Sequence, residues 1–282
     1  MPPMSATLWQ DGFFKASDGI NLFYRIYQPA SPKRVLFILH GFGEHAHRYE
    51  KFSQYFPDFQ IAIFDMRGMG QSEGERVFVD SFERYEFDAL NFFEFIGDRY
   101  PVDAPRLFLG HSMGGLNLML LCVQHQLKGE RFIFSAPCFR VAVPSPALVL
   151  NQWIHRFNPR FCYHNPVYYK NLSHCEFEIL SYKNDPWIMH KMTARLLNEM
   201  VLAGKKIMDL SAIHFQKPVH FLLAGEDRLV RTEAAQKIYE RVTAPSKTLN
   251  IYKNFYHEIF NETDQLRVFH DLQKLIPSDC LP

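Results

Sequence analysis

Apolar residues along the chain come in short runs that stop at Gly, Asp or Pro, separated by stretches in which apolar and polar positions mix. The runs fall at residues 20–27, 35–39, 61–64, 107–109, 132–134, 219–223 and 249–252, and each has strand length. Between several of them, residues 47–56, 81–100, 115–126, 232–241 and 264–275 repeat apolar side chains at helical spacing. Strands alternating with helices predict an α/β fold with a mostly parallel central sheet covered by helices on both faces. A strand around Phe13 and the run at 20–27 flank Ser17-Asp18-Gly19, a turn signal that predicts an antiparallel hairpin at the sheet edge.

The alternation breaks between about residues 137 and 210. Pro144, Pro146, Pro159, Pro166 and Pro186 punctuate helical pieces there, with no strand run between them. The expected division is a first core part over 1–137, an inserted, mainly helical cap over 138–212, and a second core part over 213–282. Asp185 as N-cap, with Pro186 at the first helical position, predicts a cap helix carrying Met189, Met192, Leu196, Met200 and Val201 on one face. Such a Met-rich stripe suits core packing or a binding surface. A second cap helix is expected over 146–157. Its apolar face is Leu150, Trp153, Ile154 and Phe157, widened by Leu148 and Val149, beside polar Asn151, Gln152, His155 and Arg156. That face either packs wholly on the core or covers the mouth of a cleft, where it meets an acyl chain or a membrane surface.

Composition narrows the partners. The 282 residues are 47% hydrophobic, enough for one core plus the insertion. Lys+Arg number 31 against 30 Asp+Glu, so the chain lacks the basic footprint of a nucleic-acid binder. The 5 cysteines, Cys122, Cys138, Cys162, Cys175 and Cys280, form no Cys-x-x-Cys pair, which argues against a disulfide framework or zinc ribbon and for a reducing cytoplasm. Residues 1–14 have no signal-peptide pattern, and the longest apolar stretches, such as 116–123, fall far short of the roughly 18 residues a spanning helix needs. A soluble protein is therefore expected. The 27 Phe read first as an aromatic core. Nothing in the pattern selects an oligomeric state.

The strongest chemical signal is Gly110-His111-Ser112-Met113-Gly114, which directly follows a strand run and directly precedes a helix. This is Gly-x-Ser-x-Gly in the strand-turn-helix setting of a nucleophile elbow, where side chains at 110 and 114 would collide with the flanking elements. A serine needs a base to take its proton, and the base needs a third group to fix its tautomer. Asp227 and His257 lie just past the late runs at 219–223 and 249–252, where loops line the cleft of an open sheet, and are the expected acid and base. Glu226 is the rival acid. The oxyanion needs two N–H donors, expected from Met113 after the nucleophile and Phe42 in the loop after the run at 35–39. No metal or organic cofactor is implied. A competing pattern, Gly41-Phe42-Gly43-Glu44-His45-Ala46, followed by Asp65 at the end of the next run, matches a dinucleotide-binding turn. It would set the Glu44 carboxylate where a pyrophosphate must bind, and it leaves Ser112, Asp227 and His257 without a part.

These residues resemble the α/β-hydrolase superfamily and, more narrowly, the monoacylglycerol lipase and lysophospholipase family. The resemblance runs through His40-Gly41-Phe42-Gly43-Glu44-His45 with Arg48-Tyr49, the turn 65–74, the elbow, and Asn184-Asp185-Pro186 with Thr193-Ala194-Arg195. It implies a serine hydrolase that cleaves a carboxylic ester, a monoacylglycerol or lysophospholipid, through an acyl-enzyme. It also implies that Glu44 and Arg48 lie near the head group, the alternative being a helix cap and a surface pair; the apolar face of 146–157, where it covers the cleft, would set Leu150, Trp153 and Ile154 along the acyl chain and bring the cap into peripheral membrane contact. Asp65 and Arg67 would tie loops under the site. Two features depart from the family: Met66 and Met69 replace usual histidines, and Phe260 stands where a polar histidine is usual near the glycerol. A short-chain carboxylesterase, or an idle fold used for binding, are the alternatives.

Overall fold

A computed structural model describes residues 8–100, 103–164 and 167–276; Pro166, Cys280 and residues 1–7 lie outside the described residues. The first part of the chain forms β1 (Trp9–Lys15), β2 (Asn21–Tyr27), β3 (Arg34–Leu39), α1 (Phe52–Tyr55), β4 (Phe59–Phe64), α2 (Glu83–Arg99), β5 (Arg106–His111), α3 (Met113–Gln124) and β6 (Arg131–Ser135). Next come α4 (Ser145–Phe157), β7 (Cys162–His164), α5 (Glu176–Asn184), β8 (Lys191–Thr193), α6 (Ala194–Met208) and β9 (Ile213–His214). The last part forms β10 (Val219–Ala224), α7 (Thr232–Arg241), β11 (Val242–Thr243), β12 (Lys247–Tyr252) and α8 (Gln265–Leu275).

Eight strands make one sheet in the order β1-β2-β4-β3-β5-β6-β10-β12. From β4 to β12 every neighbouring pair is parallel, and β1–β2 is the antiparallel edge hairpin, turning at Gly19 with φ 86°. Side chains alternate across each strand, so a sheet covered on both faces needs uninterrupted apolar runs. In β3, Val35, Phe37 and Leu39 join the core beneath α2, α3 and α7, while Leu36 and Ile38 join the core beneath α1 and α8. Much of the phenylalanine lies in these layers: Phe37 stacks on Phe108 at 5.2 Å and meets Phe93 at 4.8 Å.

The described residues between β6 and β10 add no strand to this sheet. Three features of it and its neighbourhood differ from the sequence expectation. Residues 47–56 do not form one helix; a 3-10 turn, Ala46–Tyr49, is followed by the short α1. The bend turns Arg48 and Tyr49 inward to Glu258 and Glu44, while Phe52 packs on Phe269 and Pro57 stops further extension. The cap helix expected to start at Asp185 begins at Ala194 instead. The Thr193 side chain accepts from Leu196 N at 3.1 Å and caps α6. Asp185 instead accepts from Trp187 N within its own turn, and β8 pairs with β7 in between. Finally, α4 faces inward with its polar Asn151, which donates to Ala194 O and accepts from Tyr163 OH at 2.8 Å. Val149, Leu150, Trp153 and Phe157 lie on the exposed side, so the apolar stripe does not pack wholly on the core.

Candidate active site

β5 runs straight into α3, and Ser112 sits at the junction with φ 53° and ψ −117°, a strained conformation for a residue with a side chain. Its neighbours hold it there: Ser112 N donates to Ser135 O, and Ser112 O accepts from Cys138 N. The flanking glycines permit the crossing, because a Cβ on Gly110 would come within 2.5 Å of Gly114 O and one on Gly114 within 2.1 Å of Leu39 O.

The loop after β10 presents Asp227. One of its oxygens accepts from Leu229 N at 2.9 Å and Val230 N at 3.0 Å. The other accepts from His257 Nδ1 at 2.6 Å, while Glu226 is exposed to solvent. His257 follows β12 and is buried. Burial disfavours its cation, but the charge and hydrogen bond of Asp227, with Glu258 and Glu44 adding to them, hold the imidazole above its ordinary value.

Ser112, His257 and Phe42 line a single cavity of about 350 Å³ together with Glu44 and Glu258. The remaining wall is mostly apolar, with Met192, Leu197 and Met200 from β8 and α6 on one side and Leu150 from α4 on another. Met113 opens α3 beside Ser112, and among the described residues neither its amide nor that of Phe42 donates to a protein acceptor. Trp153 and Ile154 are not part of the wall: α4 turns Trp153 outward, 61% exposed, where it stacks on Phe157. Arg48 stands behind the wall, its guanidinium donating to Glu258 at 2.5 Å and lying 3.9 Å from Glu44. Glu44 accepts from Tyr49 OH, and burial together with the Glu258 charge pushes its carboxyl up to about 7.

The turn after β4 is architectural. Asp65 accepts from Ala46 N and Gln71 N, and Arg67 pairs with Asp88 and Asp18. Phe260 packs on Phe52 and Phe269 and does not line the cavity. The loop 41–46 leads into a 3-10 turn, so no α-helix N-terminus is offered to a pyrophosphate, and the dinucleotide pattern has no structural counterpart. Sequence reasoning missed Glu258, whose signal was a carboxylate directly after His257 among aromatic and aliphatic residues. It also missed Tyr182, which lies under the Arg48 guanidinium at 5.0 Å.

Known proteins share this fold. The model of the family described as serine aminopeptidase, S33, matches residues 30–264. The monoglyceride lipase of Rattus norvegicus is 28% identical, aligned over 94% of this chain and 92% of its own. The monoacylglycerol lipase of Mycolicibacterium smegmatis is 27% identical over 94% and 96%. A soluble variant of monoglyceride lipase from Saccharomyces cerevisiae, solved with a substrate analogue, superposes with a TM-score of 0.83 at 19% identity, covering 98% of this chain and 97% of that one. With its fold and most of its length thus matched, the chain belongs to the serine aminopeptidase S33 family of α/β-hydrolases, where it is similar to monoglyceride lipases.

Proposed function

We propose that this protein is a serine hydrolase that cleaves carboxylic esters of fatty acids, a monoacylglycerol or a lysophospholipid, through an acyl-enzyme. Ser112 attacks the ester carbonyl. His257 takes its proton and delivers it to the departing alcohol, Asp227 holds the imidazole tautomer, and the amides of Phe42 and Met113 receive the oxyanion. The observation that carries this reading is the strained Ser112 and the Asp227-paired His257 on the wall of one cavity whose remaining lining is mostly apolar.

The cavity divides an ester by polarity. Its aliphatic wall suits an acyl chain, with Leu150 as one contact, and its one acidic end, with Glu44 at the surface and Arg48 behind, suits the alcohol. Residues 138–212 act as the lid over that cavity. The exposed Trp153 and Phe157 on α4 make peripheral contact with a lipid surface in this reading. No described helix is long and apolar enough to cross a membrane. Among the described residues Cys122, Cys138, Cys162 and Cys175 are free, which suits a cytoplasmic setting.

The test is turnover of a panel of p-nitrophenyl esters, monoacylglycerols and lysophospholipids, with fluorophosphonate labelling of the wild type and of Ser112→Ala. Labelling that persists in the variant, or no ester turnover by the wild type, would reject the proposal.

A further inference from the structure

A catalytic base needs a fixed backbone as well as a fixed ring, because a misplacement of about 1 Å in a reacting group costs on the order of 10²-fold in rate. Asp227 fixes the ring of His257. The backbone that carries the ring is a loop between the end of β12 at Tyr252 and a 3-10 turn, Ile259–Asn261. On one flank, Glu226 N donates to Phe255 O at 3.0 Å from the loop that presents Asp227. On the other flank stands Glu262, 1% exposed and absent from the cavity wall.

The Glu262 carboxylate is filled by N–H donors from two distant parts of the chain. Its Oε1 accepts from Tyr256 N at 2.7 Å and from His174 Nδ1 at 2.9 Å. Its Oε2 accepts from His174 N at 3.0 Å and from Thr263 N at 3.2 Å. Tyr256 directly precedes His257, and its ring stacks on that of His174 with centroids 3.8 Å apart. Two more bonds run alongside: Glu258 N donates to Leu172 O at 2.8 Å, and Ser173 Oγ donates to Asn261 O at 2.7 Å. Leu172 in turn lines the catalytic cavity.

A carboxylate accepts about four hydrogen bonds and donates none, and here all four sites face N–H groups. Closing the loop on itself needs only Tyr256 and Thr263. The other two bonds go to a residue 88 positions earlier, in the inserted segment. One buried side chain therefore holds both the peptide ahead of the base and the part of the lid that rests on it.

We propose that Glu262 is a positioning residue for the base: it keeps the backbone ahead of His257 in register with residues 172–174, so that the imidazole is set for proton transfer when the lid is seated on this loop. Glu262 touches neither substrate nor the reacting atoms and acts through Tyr256. This rests on the serine-hydrolase reading above and deepens it, making the lid part of what orients the base as well as a wall for the acyl chain.

The experiment measures the rate of fluorophosphonate labelling of Ser112 and the turnover of p-nitrophenyl butanoate in the full chain, for the wild type, Glu262→Gln, His174→Ala and His174→Asn. Glutamine has the size of glutamate but turns its NH2 toward two N–H donors, so two of the four bonds are lost. Glu262→Gln is expected to lower the labelling rate constant and kcat by about 10- to 100-fold with KM little changed, while the final extent of labelling stays that of the wild type. His174→Ala should lower both rates by roughly threefold to tenfold. His174→Asn, whose side-chain amide reaches the place of Nδ1, should restore most of that loss. A residue that only stabilised the fold would instead reduce the extent of labelling and leave the rate constant of the remaining molecules unchanged, a result that overturns the proposal. A His174→Asn variant as slow as His174→Ala would put the effect in the stack on Tyr256 and overturns it too. If Glu262→Gln does not fold, the two His174 variants decide alone. A wild type that neither labels nor turns over the ester defeats the serine-hydrolase reading as well, whereas an active wild type with unaffected variants defeats this proposal only.

Discussion

Asp227 meets His257 with one oxygen only, at 2.6 Å, while its second oxygen accepts the amides of Leu229 and Val230. The carboxylate is thus fixed by its own turn, and the ring is oriented by a group that has no freedom to follow it. Asparagine in its place presents either an N–H or an oxygen to the ring, and only one orientation also satisfies both backbone amides. Asp227→Asn is expected to lower kcat by about 10⁴, by analogy with the serine-protease triad, while Glu226→Gln on the solvent side changes it little. Stopped-time assays on a p-nitrophenyl ester decide the matter, and the reverse ranking would move the acid by one residue.

Ser112→Ala should lower kcat by about 10⁴ to 10⁶ with the fold intact. The backbone bonds to Ser135, Cys138 and Leu116 do not involve the hydroxyl, so the elbow survives its removal. A variant with a tenth of wild-type activity and an unchanged circular dichroism spectrum would show that another residue is the nucleophile.

The sheet and the elbow were legible because each obeys a local rule. A strand buried on both faces must be apolar throughout, as 35–39 and 61–64 are, and a strand-to-helix junction as tight as that at Ser112 requires Gly110 and Gly114. Asp227 and His257 could be placed by their position after late strands. The lid was less legible because its polar residues are answered by distant partners. Asp185 looks like a helix cap, but its second oxygen pairs with His45 of the core, 2.8 Å away. Asn151 looks like a solvent residue, yet Tyr163 and Ala194 bury it and turn the apolar side of α4 outward. Glu258 carried only the faint signal of a carboxylate beside His257; its meaning depends on Arg48, 210 residues earlier.

Activity should fall on the acid side with a midpoint above pH 6.5. His257 must be neutral to accept the serine proton, and its pKa is raised because Asp227, Glu258 and Glu44 outweigh the burial that disfavours its cation. Lowering the pH through that raised value charges the ring and removes the base. Glu44 faces the same cavity and titrates at about 7, so kcat/KM profiles of the wild type and Glu44→Gln are needed together. A limb that survives Glu44→Gln belongs to His257. One that vanishes belongs to Glu44, and the assignment fails.

The two sides of α4 should separate chain-length preference from surface activity. Leu150 lines the cavity although it is 59% exposed, whereas Trp153 is exposed to solvent and does not line it. Neither supports a packed core, so replacing either with Asp should shift the melting temperature by only a degree or two, on the order of 0.5 kcal/mol. Each buried methylene is worth about 0.8 kcal/mol, so a charge set in the acyl wall penalises a chain long enough to pass it far more than a short one. Leu150→Asp is therefore expected to lower kcat/KM for a dispersed dodecanoyl ester much more than for a butanoyl ester. Trp153→Asp should leave both unchanged and instead reduce turnover of monoacylglycerol presented in vesicles, because it removes apolar area from the exposed ridge it shares with Phe157. Equal losses on both soluble esters with a large fall in melting temperature would show that α4 is a structural brace. The acyl chain would then be sought along Met192, Leu197 and Met200, on the β8–α6 side of the cavity.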